Sequence, residues 1–147
     1  MERDVHITDI EALSIEAGAF ARALSPNAQT ATLITLSGEL GAGKTAFTQA
    51  VARSLSVEET VGSPTFVLEK IYKLPDGKRF KRLIHIDAYR LDSGADLAAL
   101  GFDELMRDAG NLVFLEWPEK VSDRLPNPAV HIALSVLPNG SRTLAYG

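Results

Sequence analysis

The stretch "LSGELGAGKTAF", residues 36–47, decides how this sequence folds. It matches the pattern G-x-x-x-x-G-K-[ST] at four positions: Gly38, Gly43, Lys44 and Thr45. Such a loop turns backbone N–H groups towards phosphates, which requires backbone angles that glycine adopts at little cost. In loops of this pattern the lysine reaches the β- and γ-phosphates, and the hydroxyl that follows it binds Mg²⁺. The pattern therefore predicts a loop that binds nucleotide phosphates.

The segments on either side of the loop support this prediction. Residues 31–38, "ATLITLSG", have the apolar and β-branched composition of a buried strand, and residues 44–55, "KTAFTQAVARSL", have apolar residues at helical spacing. The N-terminus of that helix adds its unpaired N–H groups and its positive dipole end to the same anion site. Strand, loop and helix thus follow one another in the order that a phosphate site requires.

Elsewhere the sequence predicts further helices and strands. Thr8 and Glu11 have the spacing of a capping box at the start of a helical pattern. Turn residues at 76–77 (Asp-Gly) and 139–140 (Asn-Gly) predict two hairpins. We therefore expect the α/β class, with a central, mostly parallel sheet that is extended by antiparallel hairpin strands, in one domain over residues 1–147.

Composition and charge exclude several classes of protein. The chain has 147 residues, of which 46% are hydrophobic and 23% charged, and its net charge of −4 argues against a protein that binds nucleic acid with its whole surface. It contains no cysteine, which excludes disulfides and thiolate metal sites, and His6, His85 and His131 show no metal-ligand spacing. The opening "MERDVHITDI" lacks the apolar run of a secretory signal, and no segment has the roughly 20 apolar residues that cross a bilayer. We expect a cytoplasmic protein with no membrane contact.

Two acidic residues are candidates for metal binding and catalysis. The segments "LIHID" and "LVFLE" place Asp87 and Glu116 at the ends of apolar strands, where open α/β sheets bind their ligands. Mg²⁺ on a nucleotide needs such a carboxylate, and hydrolysis needs a group that orients the attacking water. Thr65, in the "GSPTF" connection, is a candidate second hydroxyl near the metal. Spacing alone leaves open which acid binds the metal. It also allows that Asp87 and Glu116 are only solvated carboxylates at strand ends, and that Thr65 is only a hydroxyl in an ordinary proline turn.

Four motifs together resemble one family. In chain order they are "GELGAGKT", "SPTF", "HIDAYRL" and "LEWPE", and the pattern extends over roughly residues 8–142. This combination is similar to that of the TsaE family (formerly YjeE), small bacterial ATPases required for the threonylcarbamoyladenosine modification of tRNA. The resemblance implies a P-loop NTPase fold, binding of ATP and Mg²⁺, and ATP hydrolysis that is weak in the isolated protein. It also implies the partners TsaB and TsaD, with tRNA contacted only through that complex.

The resemblance further implies roles for individual residues. It implies that Asp87 binds the metal and that Glu116 positions the water, with Lys44 as the second catalytic residue. The residues implied to hold the nucleotide are Glu39, Leu40, Gly41, Ala42, Gly43, Lys44, Thr45, Ala46, Thr65 and Trp117. The residues implied to contact the metal are Thr45, Thr65, Asp87 and Glu116.

Other functions compete with this interpretation. A small-molecule P-loop kinase would need an arginine-rich lid, whereas Arg90 is the only arginine that the sequence places near the predicted site. A GTPase would need an Asn-Lys-x-Asp motif, which is absent. A nucleotide-gated binding module without significant hydrolysis would not need Glu116. Because no arginine finger is evident in the sequence, we also expect a partner to complete the site for hydrolysis.

A basic hairpin between residues 70 and 82 allows two interpretations. Its positive side chains are Lys70, Lys73, Lys78, Arg79, Lys81 and Arg82. They either keep an exposed sheet edge from pairing, or contact an acidic partner surface or tRNA.

Overall fold

The structure, a computed structural model, describes residues 3–57 and 69–147. The strands in these ranges are β1 (Arg3–Ile7), β2 (Thr32–Ser37), β3 (Glu69–Lys73), β4 (Arg82–Asp87), β5 (Asn111–Glu116), β6 (Val130–Val136) and β7 (Arg142–Tyr146). The helices are α1 (Ile10–Ala23), α2 (Lys44–Ser54), α3 (Gly94–Ala98), α4 (Phe102–Met106) and a 3₁₀ turn at Pro118–Lys120. Within the same ranges, no helix combines the length and the apolar character needed to cross a membrane.

The described strands form one sheet in the order β1-β7-β6-β2-β5-β4-β3. The four middle strands, β6, β2, β5 and β4, run parallel to one another. Strands β7 and β1 extend one edge and β3 extends the other, all by antiparallel pairing. The predicted α/β class and the mostly parallel sheet with antiparallel strands at its edges are therefore confirmed.

Helices cover both faces of the sheet. On the face that carries α1 and α2, the Phe20 ring meets Phe47 and Phe114 with ring centroids 5.7 and 6.3 Å away. On the other face, Leu97 of α3 and Phe102 of α4 pack against the strands. The central strands β2 and β5 are therefore buried on both sides, which explains why their sequences are nearly continuous apolar runs rather than alternating ones.

The start of α1 corrects one prediction. Asp9 precedes the helix with an extended backbone, and its carboxylate accepts a hydrogen bond from the backbone N–H of Ala12 at 2.8 Å. The predicted capping box of Thr8 and Glu11 is therefore wrong by one residue. Aspartate is the stronger helix cap of the two residue types, so the residue type at position 9 indicates the observed cap, whereas the Thr8–Glu11 spacing does not.

Both predicted hairpin turns are confirmed. Gly77 lies between β3 and β4, and Gly140 lies between β6 and β7. Their φ angles are 89° and 86°, in the left-handed region that tight turns require and that glycine adopts without strain.

The tip of the basic hairpin is attached to the end of α1. The Arg79 guanidinium donates hydrogen bonds to the backbone carbonyls of Arg22 and Leu24, at 3.3 and 3.1 Å. A cation there satisfies carbonyls that lack helical partners and interacts favourably with the negative end of the helix dipole. Arg79 therefore has a structural role within the chain, whatever the exposed lysines contact.

Arg82, at the start of β4, also binds within the chain. Its Nε atom donates to Asn111 Oδ1 at 2.8 Å, and its guanidinium pairs with the Asp108 carboxylate. Asn111 is the residue directly beside Arg82 in the parallel pairing of β4 with β5. The first residue pair of these two strands is thus joined by side chains as well as by the backbone.

Candidate functional site

The ends of three neighbouring strands meet at the glycine-rich loop. Strand β2 ends at Ser37 and leads into residues 38–43, and α2 begins at Lys44. Strands β4 and β5 end at the same edge with Asp87 and Glu116, which pair side by side. Because paired residues of neighbouring strands project to the same face, both carboxylates lie on the face that carries α2.

Glycine is required at Gly38 and Gly43 of the loop. Gly38 has a φ angle of 147°, and a Cβ atom there would lie 2.5 Å from the backbone carbonyl oxygen of Leu134 in β6. Gly43 has a φ angle of 105° and immediately precedes α2. The first glycine thus permits a close approach of two strands, and the second permits the turn into the helix.

The side chain of Lys44 folds back onto the loop, and its ammonium group binds the loop backbone. The residue is buried, with 4% of its surface exposed. Its Nζ atom donates to the backbone carbonyls of Gly38 at 2.6 Å and Glu39 at 3.0 Å, and it lies 4.4 Å from the centroid of the Trp117 ring. Burial lowers the pKa of the Lys44 ammonium, against the opposing attraction of nearby carboxylates. An ammonium enclosed in this way interacts strongly with an anion that reaches it.

Thr45, Glu116 and His85 form a chain of hydrogen bonds. Thr45 Oγ1 donates to Glu116 Oε2 at 2.9 Å, and the same oxygen lies 2.5 Å from His85 Nε2. Glu116 and His85 are buried, with 3% and 0% of their surfaces exposed. Since a carboxylate is costly to bury without partners, the hydroxyl and the imidazole make this position tenable.

Asp87 is a half-buried carboxyl beside this chain of bonds. Its Oδ1 atom accepts a hydrogen bond from the backbone N–H of Tyr89 at 3.0 Å. Burial raises the pKa of the Asp87 carboxyl above its usual value, and the Glu116 carboxylate adds to the effect. The Tyr89 N–H and the positive charge of Lys44 act in the opposite direction. Keeping Asp87 ionised therefore costs stability, which a cation beside it would restore.

We expect Asp87→Asn to stabilise the fold at neutral pH. Because the pKa of Asp87 is raised in the folded state, its contribution to stability is fully present below the pKa of an unfolded aspartate and is lost as the pH rises through the folded pKa. Asparagine is neutral, and its Oδ1 atom can keep the hydrogen bond from Tyr89. Solvent screening keeps the gain small, about 1–3 °C in unfolding temperature.

Thermal unfolding followed by circular dichroism checks this expectation. The gain should be largest near pH 7 and should shrink as the pH falls towards about 4, the range of an ordinary aspartate. Asp103→Asn removes the same charge from the exposed first turn of α4 and should not raise the unfolding temperature. An equal gain in both variants, or a lower unfolding temperature for Asp87→Asn, would contradict the argument.

Trp117 covers the lysine from above. Its backbone has φ 61° and ψ 53°, the left-handed region, which costs a residue with a side chain on the order of 1 kcal/mol. The ring packs against the Tyr89 ring with centroids 4.9 Å apart, and the Trp117 ring in turn lies over Lys44. These contacts hold the ring at the edge of the sheet where the carboxylates lie.

A cavity of about 240 Å³ lies beside the loop. Its walls are mostly apolar and include Ala42, Ala46 and Leu134, while Thr8 and Asp9 add polar groups. The cavity therefore offers a mostly apolar wall with a few polar groups, as small-molecule sites commonly do.

Arg142 corrects the prediction that Arg90 is the only arginine near the site. Its Nη2 atom donates to the backbone carbonyl of Gly41 at 3.3 Å, at the rim of the cavity, whereas Arg90 is exposed beyond the end of β4. Arg142 reaches the loop because it is the first residue of β7. Strand β7 pairs antiparallel with β6, and β6 is the neighbour of β2 in the sheet. Spacing along the chain does not show this pairing.

Comparison with known families identifies the chain. The family profile described as "Threonylcarbamoyl adenosine biosynthesis protein TsaE" matches residues 13–144. The chain belongs to the TsaE family. The predicted resemblance is therefore confirmed, and proteins of this family take part in threonylcarbamoyladenosine biosynthesis of tRNA.

Relatives named TsaE cover most of the chain. The Rickettsia typhi protein is 35% identical over 124 residues, which are 84% of this chain and 82% of the relative. The Bacillus subtilis protein is 32% identical over 131 residues, which are 89% of this chain and 78% of the relative. The crystal structure of Bacillus subtilis YdiB is similar with a TM-score of 0.78 and 27% identity, and the match covers 99% of this chain and 84% of YdiB.

The structure brings most of the residues predicted for a TsaE site together. Lys44, Thr45, Asp87, Glu116 and Trp117 meet at one edge of the sheet. The other described members of the predicted nucleotide set are the loop residues Glu39, Leu40, Gly41, Ala42 and Gly43, and Ala46 in the first turn of α2.

The loop residues differ in exposure. Glu39, Leu40 and Gly41 face solvent, and Leu40 is 70% exposed, whereas Ala42 is buried in the cavity wall. Thr65 lies outside the described residues, so its predicted contacts with the nucleotide and the metal stay predictions.

The sequence interpretation missed His85. The spacing of the three histidines predicts no metal site and does not indicate this contact. The signal was the period of two in "LIHID": His85 stands two residues before Asp87, hence on the same face of β4. A polar residue at that position of a buried strand indicates a polar partner on the neighbouring strand.

Proposed function

We propose that this chain is a P-loop NTPase domain over residues 1–147 that binds ATP with Mg²⁺ and hydrolyses the ATP. On this proposal it acts in the cytoplasm with TsaB and TsaD in threonylcarbamoyladenosine biosynthesis, and it contacts tRNA only through that complex. The observation that carries the proposal is the meeting of Lys44, Thr45, Asp87 and Glu116 around a glycine-rich loop at the ends of β2, β4 and β5. Membership of the TsaE family supports the pathway.

The loop and the cavity fit a nucleotide. Lys44 Nζ and the first N–H groups of α2 are donors for phosphate oxygens, and Gly43 gives the loop its turn into the helix. The neighbouring cavity, with the apolar Ala46 and the polar Thr8 and Asp9 in its wall, suits a base that stacks on apolar atoms and hydrogen-bonds at its edge. We propose that the adenine of ATP lies there.

The oxygen atoms near Lys44 fit Mg²⁺. Within residues 3–57 and 69–147, no group of three or more histidine, aspartate or glutamate side chains is arranged to hold a metal by itself. Mg²⁺ is commonly bound by one or two carboxylates together with substrate phosphates, for which Asp87 and the Thr45 hydroxyl suffice. Thr45 donates its proton to Glu116 Oε2, so its oxygen lone pairs are available to a cation. When bound, Mg²⁺ would neutralise charge on the phosphate oxygens.

Glu116 suits the orientation of a water molecule. Its Oε2 atom is engaged by Thr45 and His85, whereas Oε1 makes one long contact, 3.3 Å from Thr45 Oγ1. Oε1 can therefore accept a hydrogen bond from a water and hold it for attack on phosphorus.

A partner would supply further positive charge. In the part of the chain that the structure describes, Arg142 binds the carbonyls of Gly140 and Gly41, and Arg90 faces solvent at the end of β4. Transition states of phosphoryl transfer are stabilised by an additional cation, often an arginine from another protein. We propose that the TsaB–TsaD pair completes the site in this way.

Phosphate release from Mg·ATP by this chain, alone and with TsaB and TsaD, tests the proposed function. A low rate that rises in the complex would support a partner-completed ATPase. ATP binding without hydrolysis in either case would instead indicate a nucleotide-gated binding module. Transfer of the phosphate to a small acceptor would indicate a kinase.

A further inference from the structure

His85 lies beneath the Glu116 carboxylate and has no exposed surface. Its Nε2 atom is 2.5 Å from Glu116 Oε2, and its Nδ1 atom has no hydrogen-bond partner among the residues that the structure describes. A side chain that only filled this space would be cheaper as leucine or phenylalanine, because buried nitrogens without partners cost free energy. A histidine at this position therefore indicates that the contact of Nε2 with Glu116 has a role of its own.

The hydrogen bonds determine which nitrogen carries the proton. Glu116 Oε2 already accepts the proton of Thr45, and an ionised carboxylate can only accept, so His85 must donate from Nε2. A proton on Nε2 alone leaves an unfilled acceptor at Nδ1. A proton on Nδ1 would instead bury an N–H group without a partner, which is the costlier arrangement.

The strand pairing brings this donor to the carboxylate. His85 pairs with Phe114, so Glu116 is its diagonal neighbour, two residues further along β5. Long side chains on one face of a sheet reach such diagonal neighbours. Both residues are buried in regular strands, so the contact is set by the sheet rather than by a loop.

We infer that His85 is a positioning residue for Glu116. Its Nε2–H group fixes Oε2 beside Thr45 and leaves Oε1 turned to the position where water would be held. Residues that orient the ligands of a metal commonly change activity by about 10–100-fold when they are removed, and we expect a loss of that order here. This inference rests on the proposed function for its kinetic consequence, and on the sheet geometry alone for the hydrogen bond.

The hydrogen bond can be tested without nucleotide. Imidazole ¹⁵N NMR of the whole chain should show a proton on His85 Nε2, and Glu116→Gln should shift its signals while those of His6 stay in place. His85→Gln identifies the signals by their loss. A His85 ring without a proton on Nε2, or His85 signals that do not respond to Glu116→Gln, would overturn the inference even if the chain proves to be an ATPase.

Kinetics test the positioning role. In the complex with TsaB and TsaD, His85→Leu should lower kcat for ATP by about 10-fold or more and change KM by less than about threefold. His85→Gln should recover most of kcat, because its side-chain amide can donate from nearly the place of Nε2. Ile84→Val, which trims the neighbouring buried residue on the other face of β4, should leave kcat unchanged.

The outcomes separate this inference from the proposed function. Equal losses in His85→Leu and His85→Gln, an equal loss in Ile84→Val, or an unchanged kcat in His85→Leu would overturn the positioning role. An unmutated chain that releases no phosphate in the complex would overturn the proposed function, and the NMR measurement would still decide whether His85 holds Glu116.

Discussion

The variant Glu116→Gln should release phosphate from Mg·ATP about 10²- to 10⁴-fold more slowly than the unmutated chain in the complex with TsaB and TsaD. Glutamine keeps the size of the side chain and removes the charge that would orient and deprotonate the water. It also turns one acceptor oxygen into an N–H₂ group opposite the donors Thr45 and His85. Nucleotide affinity should change far less, because the loop and Lys44 are untouched.

Glu119→Gln is the matched control for this variant. Glu119 is exposed in the 3₁₀ turn that follows β5, and its charge acts on Lys44 as that of Glu116 does. Its loss should change phosphate release by less than about threefold, as expected for a screened surface charge. Phosphate release and calorimetric ATP binding should be measured on the same samples. If Glu116→Gln and Glu119→Gln behaved alike, Glu116 would have no catalytic role.

The variant Lys44→Met should bind ATP about 10- to 100-fold more weakly, since a hydrogen bond from a charged donor contributes about 1.5–3 kcal/mol and each 1.4 kcal/mol is tenfold in affinity. Methionine keeps most of the apolar stem that packs near Trp117 but has no ammonium for the phosphates. Titration calorimetry with ATP in the presence of Mg²⁺ measures the change directly.

Lys120→Met separates this effect from a general loss of positive charge. Lys120 lies at the same edge of the sheet, exposed in the 3₁₀ turn, with its ammonium 5.7 Å from the centroid of the Tyr89 ring. Its replacement should leave ATP affinity within about threefold of the unmutated value. Unfolding temperatures of both variants show whether the fold is intact. Equal affinities for Lys44→Met and the unmutated chain would remove the main support for nucleotide binding at this loop.

The features that depend only on residues close together along the chain could be predicted from the sequence. The strand, the loop and α2 lie within 32–54, and the loop needs glycine at Gly38 and Gly43 for reasons of local backbone geometry and one close contact. The acids at the ends of β4 and β5 followed from a general property of parallel sheets. Local patterns thus predicted the sheet and the region of the candidate site.

Features that depend on strand pairing could not be predicted. Arg142 reaches the loop only because β7 folds back beside the middle strands, and its sequence separation from Gly41 gives no hint of the contact. The bond between His85 and Glu116 depends on the register of β4 against β5. The cap of α1 is different, because it is local and aspartate is a stronger helix cap than threonine, so the sequence could have shown it.

The side-chain hydrogen bond between Arg82 and Asn111 helps to fix the register of β4 against β5, and with it the position of the two carboxylates. Strands β4 and β5 pair over six residues each, from Arg82 beside Asn111 to Asp87 beside Glu116, a length of roughly 17 Å at about 3.3 Å per residue. Apart from His85, the residues between these pairs are apolar and resemble one another, so a shift of two residues would keep the same faces buried. It would break the polar bond at one end and separate the carboxylates at the other. The alignment of the acids is thus decided in part at the opposite end of the sheet, where no ligand is expected.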